Sequence, residues 1–342
     1  MEMRFFCFFL FFFPISNLAS EVCPNTDLTK EVPISKRKNF FQSNMQWCCS
    51  FAAVDALSLK SGENISGIDI ATKLASKTKQ LEYCNFNEVI EAVNTSEGLC
   101  TEENYNMAPI FPDNFFLGKL SEQEIKNYFT GNQFKYETTK LESIFEFAKA
   151  NPDFIKENCN SDIPVSSPMF RNIKNMRDIA QVLKFTIDKS FFDFLSALST
   201  YGCTRKVKIS IQHESLPFPV NDDSLRENSM NRIIHSLTLN QSPVIGIGTG
   251  ELFKIPYDNR NWIQRLSARL NGDHVVNIVG SRSEGGKCFI KVRDSANGGL
   301  GCELMKKNPN IVCSPEEFHD QMTYEVEATT LSRVTRDGFI LK

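Results

Sequence analysis

The chain has 342 residues, 41% of them hydrophobic and 23% charged, with a formal net charge of −3. This is ordinary globular composition, long enough for one large domain or two smaller ones with proper cores. The near-neutral balance, with no basic block, argues against nucleic acid or an anionic membrane surface as partner.

Residues 1–20 read as a secretory signal peptide. Arg4 is followed by the apolar run Phe5 to Phe13, then Pro14 and small residues ending at Ala19-Ser20. The run is roughly half the length that spans a bilayer, and no later stretch reaches that length. The expectation is a secreted or periplasmic monomer with no stable membrane insertion once the signal is removed. Eleven cysteines fit an oxidising destination. Loss of Cys7 with the signal leaves ten. If one is a nucleophile, an odd number remains, so at least one more thiol is expected outside the disulfides. A bridge is expected among Cys288, Cys302 and Cys313. Sequons occur at Asn64, Asn94 and Asn240.

Residues 21–39 form a short polar segment. Residues 40–106 read as helical. Phe40-Phe41 leads into a helix from about Cys48 to Lys60, ended by Gly62. A second helix starts at Ser66, a good N-cap, and runs through Leu74. A third covers about Asn87 to Asn94. Residues 107–202 carry Phe-rich helical segments, Glu122 to Phe129, Lys140 to Ala150 and Met176 to Leu198, separated by proline-containing loops. Residues 203–342 change period. Arg205 to Gln212 reads as a strand, Leu225 to Leu239 as a helix, and Pro243 to Ile247 and His274 to Val279 as short strands. Glu284-Gly285-Gly286-Lys287 turns a hairpin into Cys288 to Val292. Helices followed by antiparallel strands make an α+β arrangement.

Cys48 opens the first apolar helix. A helix N-terminus carries roughly half a positive charge and unsatisfied amide donors, which favours thiolate over thiol. The thiolate is the nucleophilic form. The Cys48 amide and the Gln42 side chain are candidate donors to an oxyanion beside the sulfur. Cys49 is the rival nucleophile, but one position turns a helical side chain by about 100°. The chain has only four histidines. His213 and His319 lie in polar surroundings, and His235 lies on a helix face. His274 begins a strand whose hairpin partner ends at Asp294. The far ends of two such strands meet, so Asp294 is placed to orient His274 as base.

On these residues the chain resembles the papain family of cysteine peptidases. Gln42, Cys48 and Phe51 stand in the family's register. Tyr83-Cys84-Asn85 and Gly98 to Tyr105 resemble later family segments. Leu239 to Val244 resembles the segment before the catalytic histidine strand. Lys291-Val292-Arg293-Asp294-Ser295 resembles the family's Lys/Arg-Asn-Ser-Trp-Gly. The match covers roughly residues 40–106 and 235–300 of the chain.

The resemblance implies a papain-like two-lobe fold. A helical lobe (40–106) would carry the nucleophile, and a β-rich lobe (203–342) would carry His274 and Asp294. The separation of Cys48 from His274 exceeds the family's by roughly 80 positions, which assigns 107–202 as a helical insertion. It also implies hydrolysis of a peptide or protein substrate by Cys48, His274, Asp294 and Gln42, without cofactor or metal. Departures are Cys49 for the family's aromatic, Met45 for its disulfide cysteine, Asp294 for its asparagine and Ala296 for its covering tryptophan. With so short a segment between the signal and Gln42, the long inhibitory propeptide of many relatives is not expected. With Met45 in that place, Cys84 is expected to bond Cys100 instead. Other readings are an inactive papain-like peptide-binding protein, a transglutaminase-like acyl transferase and a disulfide scaffold.

Overall fold

The computed structural model describes residues 23–35, 48–80, 85–104, 121–130, 141–159, 176–253, 273–295, 302, 305 and 307–342. Among them the chain is mixed α+β with an antiparallel sheet. The strands are β1 (Thr26–Asp27), β2 (Leu99–Cys100), β3 (Lys206–Val207), β4 (His213–Pro217), β5 (Val244–Gly248), β6 (Asp273–Glu284), β7 (Lys287–Arg293), β8 (Ile311–Val312), β9 (Thr323–Glu327) and β10 (Thr335–Leu341). The main sheet runs β4-β10-β5-β6-β7-β9-β8, with β1 added against β6. Every pairing is antiparallel.

The early helices are α1 (Val32–Ser35), α2 (Cys48–Ser61), α3 (Gly67–Thr78) and α4 (Phe86–Thr95). The next five are α5 (Glu122–Thr130), α6 (Leu141–Ala150), α7 (Pro152–Glu157), α8 (Met176–Thr186) and α9 (Phe191–Gly202). After them come α10 (Asp223–Thr238), α11 (Thr249–Phe253), α12 (Pro315–Gln321) and α13 (Ala328–Val334). Two hydrophobic clusters organise these elements. One joins α2–α9 to Val244, Phe339 and Leu341 of the sheet. The other packs α10, α11 and α13 on inward residues of β5–β10 such as Ile245, Val276 and Tyr324.

Helix α2 lies between the helices and the sheet. Eleven of its 14 residues are buried, so it is covered on almost every side. Small residues make this feasible: Ala52, Ala53 and Ala56 let neighbours approach closely. Gly67 at the start of α3 is one such approach, since a Cβ there would meet the Phe51 ring at 3.1 Å.

The hairpin expected at Glu284–Lys287 is present. Gly285 and Gly286 both have positive φ, 58° and 75°, the conformation this two-residue turn demands. The single helix expected over Met176 to Leu198 is two. Ser190 and Asp193 form a reciprocal capping box that starts α9 afresh. The strand expected over Arg205 to Gln212 shrinks to β3. Further on, Ile211 is held instead by the Asn94 side chain, which donates to its carbonyl at 3.0 Å and accepts from its amide at 2.9 Å. Ser66 is the N-cap of α3, yet its hydroxyl makes no capping bond.

Three disulfides join described residues: Cys23–Cys288, Cys100–Cys203 and Cys302–Cys313. The last is one of the pairings expected among Cys288, Cys302 and Cys313, while Cys288 bonds Cys23 instead. The Cys84–Cys100 pairing is corrected, because β2 lies against β3 and brings Cys203 to Cys100; Cys84 lies outside the described residues. The N-terminal segment is stitched to the sheet by more than its disulfide. Ser281 Oγ donates to Pro24 O at 2.7 Å, and Lys291 pairs with Asp27 at 3.3 Å. Leu28 and Ile34 are buried in the sheet-side cluster. Gly280 makes this docking feasible, since a Cβ there would stand 2.5 Å from the Thr26 carbonyl oxygen. Gly280→Ala should therefore push β1 off β6 and cost about 1–3 kcal/mol. Denaturant unfolding measures this; an unchanged midpoint would mean that β1 shifts without penalty.

Candidate active site

Cys48 is the first residue of α2 and keeps its thiol, 8% exposed. Its neighbour Cys49 is in a disulfide whose partner lies outside the described residues. That removes Cys49 as the rival nucleophile. It also puts a cystine directly after Cys48, where the resemblance places an aromatic.

His274 stands near the start of β6, opposite Ile247 of β5. The β6–β7 register pairs Asn277 with Arg293, after which the chain leaves β6. The Asp294 amide turns away to donate to Met322 O at 2.9 Å. Its carboxylate reaches His274 instead, with Oδ1 2.7 Å from Nε2. The two are 7% and 6% exposed. Burial works against a charged imidazole here. The Asp294 charge and hydrogen bond, together with a hydrogen bond and charge from the Cys48 side chain, outweigh it and raise His274 to about 10. Sulfur, imidazole and carboxylate thus form one connected set, assembled from α2 and the ends of β6 and β7.

No protein-family model matches this chain, and no curated protein matches it. The site stands on its own geometry.

Of the residues singled out in the sequence, Cys48, His274 and Asp294 come together. Gln42 and Ala296 lie outside the described residues. His213 and His235 are exposed, on β4 and α10. Tyr324 on β9 is 2% exposed and faces Asp294. Burial and the adjacent Asp294 charge push its hydroxyl well above the ordinary range, so it stays neutral. Its oxygen does not complete a hydrogen bond of full geometry. The His274–Asp294 pair is buried, and Tyr324 is one of the side chains against it. Among the described residues, no group of three or more His, Cys, Asp or Glu side chains is placed to hold a metal ion.

Three residues that bind α2 to the sheet escaped the sequence reading. Asn277 donates from Nδ2 to the Ala52 carbonyl at 2.7 Å and accepts from Ser242 Oγ. Arg293 Nη1 contacts both Asp55 oxygens, at 3.1 and 3.2 Å, and its Nε donates to Gln321 O at 3.1 Å. A signal for Asp55 was available. It is the lone charge in the apolar run Phe51 to Leu57, and a buried charge requires a partner.

Proposed function

We propose that this chain is a papain-like cysteine peptidase that works outside the reducing cytosol. The observation that supports it is the connected Cys48–His274–Asp294 set. Its members come from distant parts of the chain, and its thiol is kept although three disulfides form elsewhere. A disulfide scaffold has no use for such a thiol beside an imidazole. The substrate is a peptide or protein.

In the mechanism, the Cys48 thiolate attacks the scissile carbonyl carbon and forms the C–S bond. The oxyanion that develops lies near the helix N-terminus, where the Cys48 amide and Gln42 are the donors. The His274 imidazolium gives its proton to the departing amine as the C–N bond breaks, leaving a thioester. His274 then takes a proton from water, the hydroxide attacks the thioester, and acid and thiolate are released. Asp294 holds the ring in place and stabilises its charged form. It supplies a full negative charge where the family has a neutral amide.

The test is peptide hydrolysis by the purified chain beside Cys48→Ala. Loss of the nucleophile should lower kcat/KM by at least about a thousandfold, with circular dichroism unchanged. Equal turnover by both proteins would refute the reading. Amine incorporation without hydrolysis would instead indicate an acyl transferase using the same thioester.

A further inference from the structure

We infer that the buried Asp55–Arg293 ion pair is a positioning device that sets where Cys48 stands relative to His274. The inference rests on the reading of Cys48 as nucleophile. Cys48, Ala52 and Asp55 are spaced i, i+4, i+7, so they form a stripe along one face of α2. Each point of the stripe is held by the sheet. Cys48 meets His274, the Ala52 carbonyl accepts from Asn277, and both Asp55 oxygens accept from Arg293 Nη1. Asn277 and Arg293 are directly opposed in the β6–β7 register, so they act as one unit. Arg293 is also the residue before Asp294, so a single backbone step links the α2 anchor to the group that orients His274.

A helix can err by sliding or by turning. One residue of slide is about 1.5 Å and one residue of turn about 100°, and either would take the sulfur from the imidazole. The lower anchor lies two turns from Cys48, about 10 Å along the axis, and resists both errors. Stability does not explain the pair well. Asp55 is 0% and Arg293 4% exposed, and a buried ion pair can usually be exchanged for apolar groups of similar volume without loss. What apolar groups lack is direction: the planar guanidinium holds the Asp55 carboxylate through Nη1 and the Gln321 carbonyl through Nε at once.

The experiment uses the full chain carrying Asp55→Leu together with Arg293→Met. Melting temperature, iodoacetamide alkylation of Cys48 across pH, thiolate ultraviolet absorbance and peptide hydrolysis are measured. The expected result is a near-native melting temperature, at least tenfold slower alkylation at pH 6, and at least tenfold lower kcat with little change in KM. Arg293→Lys keeps the charge but cannot hold Asp55 and the Gln321 carbonyl together from one planar group, and covers the case in which the double variant fails to fold. It should fold and slow alkylation at least threefold. Arg282→Ala, which breaks a surface pair with Glu325, is the control and should change neither. Wild-type alkylation and turnover in a folded double variant, or in Arg293→Lys, would overturn the inference. If the wild type fails to cut peptides but its fast alkylation depends on Arg293, the positioning role stands and the peptidase reading falls. A wild-type Cys48 that reacts no faster than a small thiol would end both.

Discussion

Alanine at position 274 should lower peptide hydrolysis by about six orders of magnitude, since removing the acid–base member of such a set costs nearly as much as removing the whole set. The pH dependence identifies the cause. In the folded wild type His274 is raised to about 10 by Asp294 and the Cys48 side chain acting against burial. The imidazolium that would protonate the leaving amine in the proposed mechanism therefore persists across neutral pH. The alkaline limb of kcat/KM should fall near 10, and a fall near the ordinary histidine value of 6.5 would contradict the geometry. Stability should follow the same proton. A group whose folded value is raised contributes fully below its unfolded value, and the contribution is lost as pH rises through the folded one. Wild-type stability should therefore decline from about pH 6.5 towards 10, beyond whatever slope His274→Ala retains. Denaturant midpoints at several pH values measure it. Equal slopes in the two proteins would mean that the His274–Asp294 pair is not charged in the folded state.

The largest loss of stability is expected from Cys100→Ser with Cys203→Ser. This bridge spans 103 residues of sequence and encloses α5–α9 within its loop. Opening a loop of that length frees the unfolded chain by about 4–5 kcal/mol on the chain-entropy view. A domain's total stability is about 5–15 kcal/mol, so much of the margin would go. The damage is also local. Cys100 is fully buried and its amide donates to Asp69 at 2.8 Å. Asp69 in turn accepts from Ser199 of α9 and pairs with Lys73. Urea unfolding should show a much lower midpoint; a midpoint equal to that of wild type would mean that the β2–β3 contact holds without its cystine.

The site was legible where local chemistry and chain order sufficed. A cysteine opening an apolar helix, and a hairpin whose far ends carry His274 and Asp294, need only period and turn signals. The Gly285-Gly286 turn fixes the register that brings those ends together. The packing partners were not legible, because they depend on which surfaces meet. Nothing local says that Arg293 will find Asp55, or that Cys203 rather than Cys84 will find Cys100. The late strands β9 and β10 were missed for the same reason. Thr323–Glu327 and Thr335–Leu341 carry charges inside short runs, and only sheet neighbours make them strands. The break between α8 and α9 was readable in principle, since Ser190 and Asp193 carry the spacing of a helix start.

The cystine between Cys23 and Cys288 has a consequence for any later processing. Were the backbone severed anywhere between Ser35 and Cys48, the amino-terminal piece would not depart. It would travel with the remainder as a two-chain molecule, still filling the space taken by Leu28 and Ile34. Electrophoresis would then give one band without reductant and two with it. A reducing environment, more than proteolysis, would be the event that sets the piece loose.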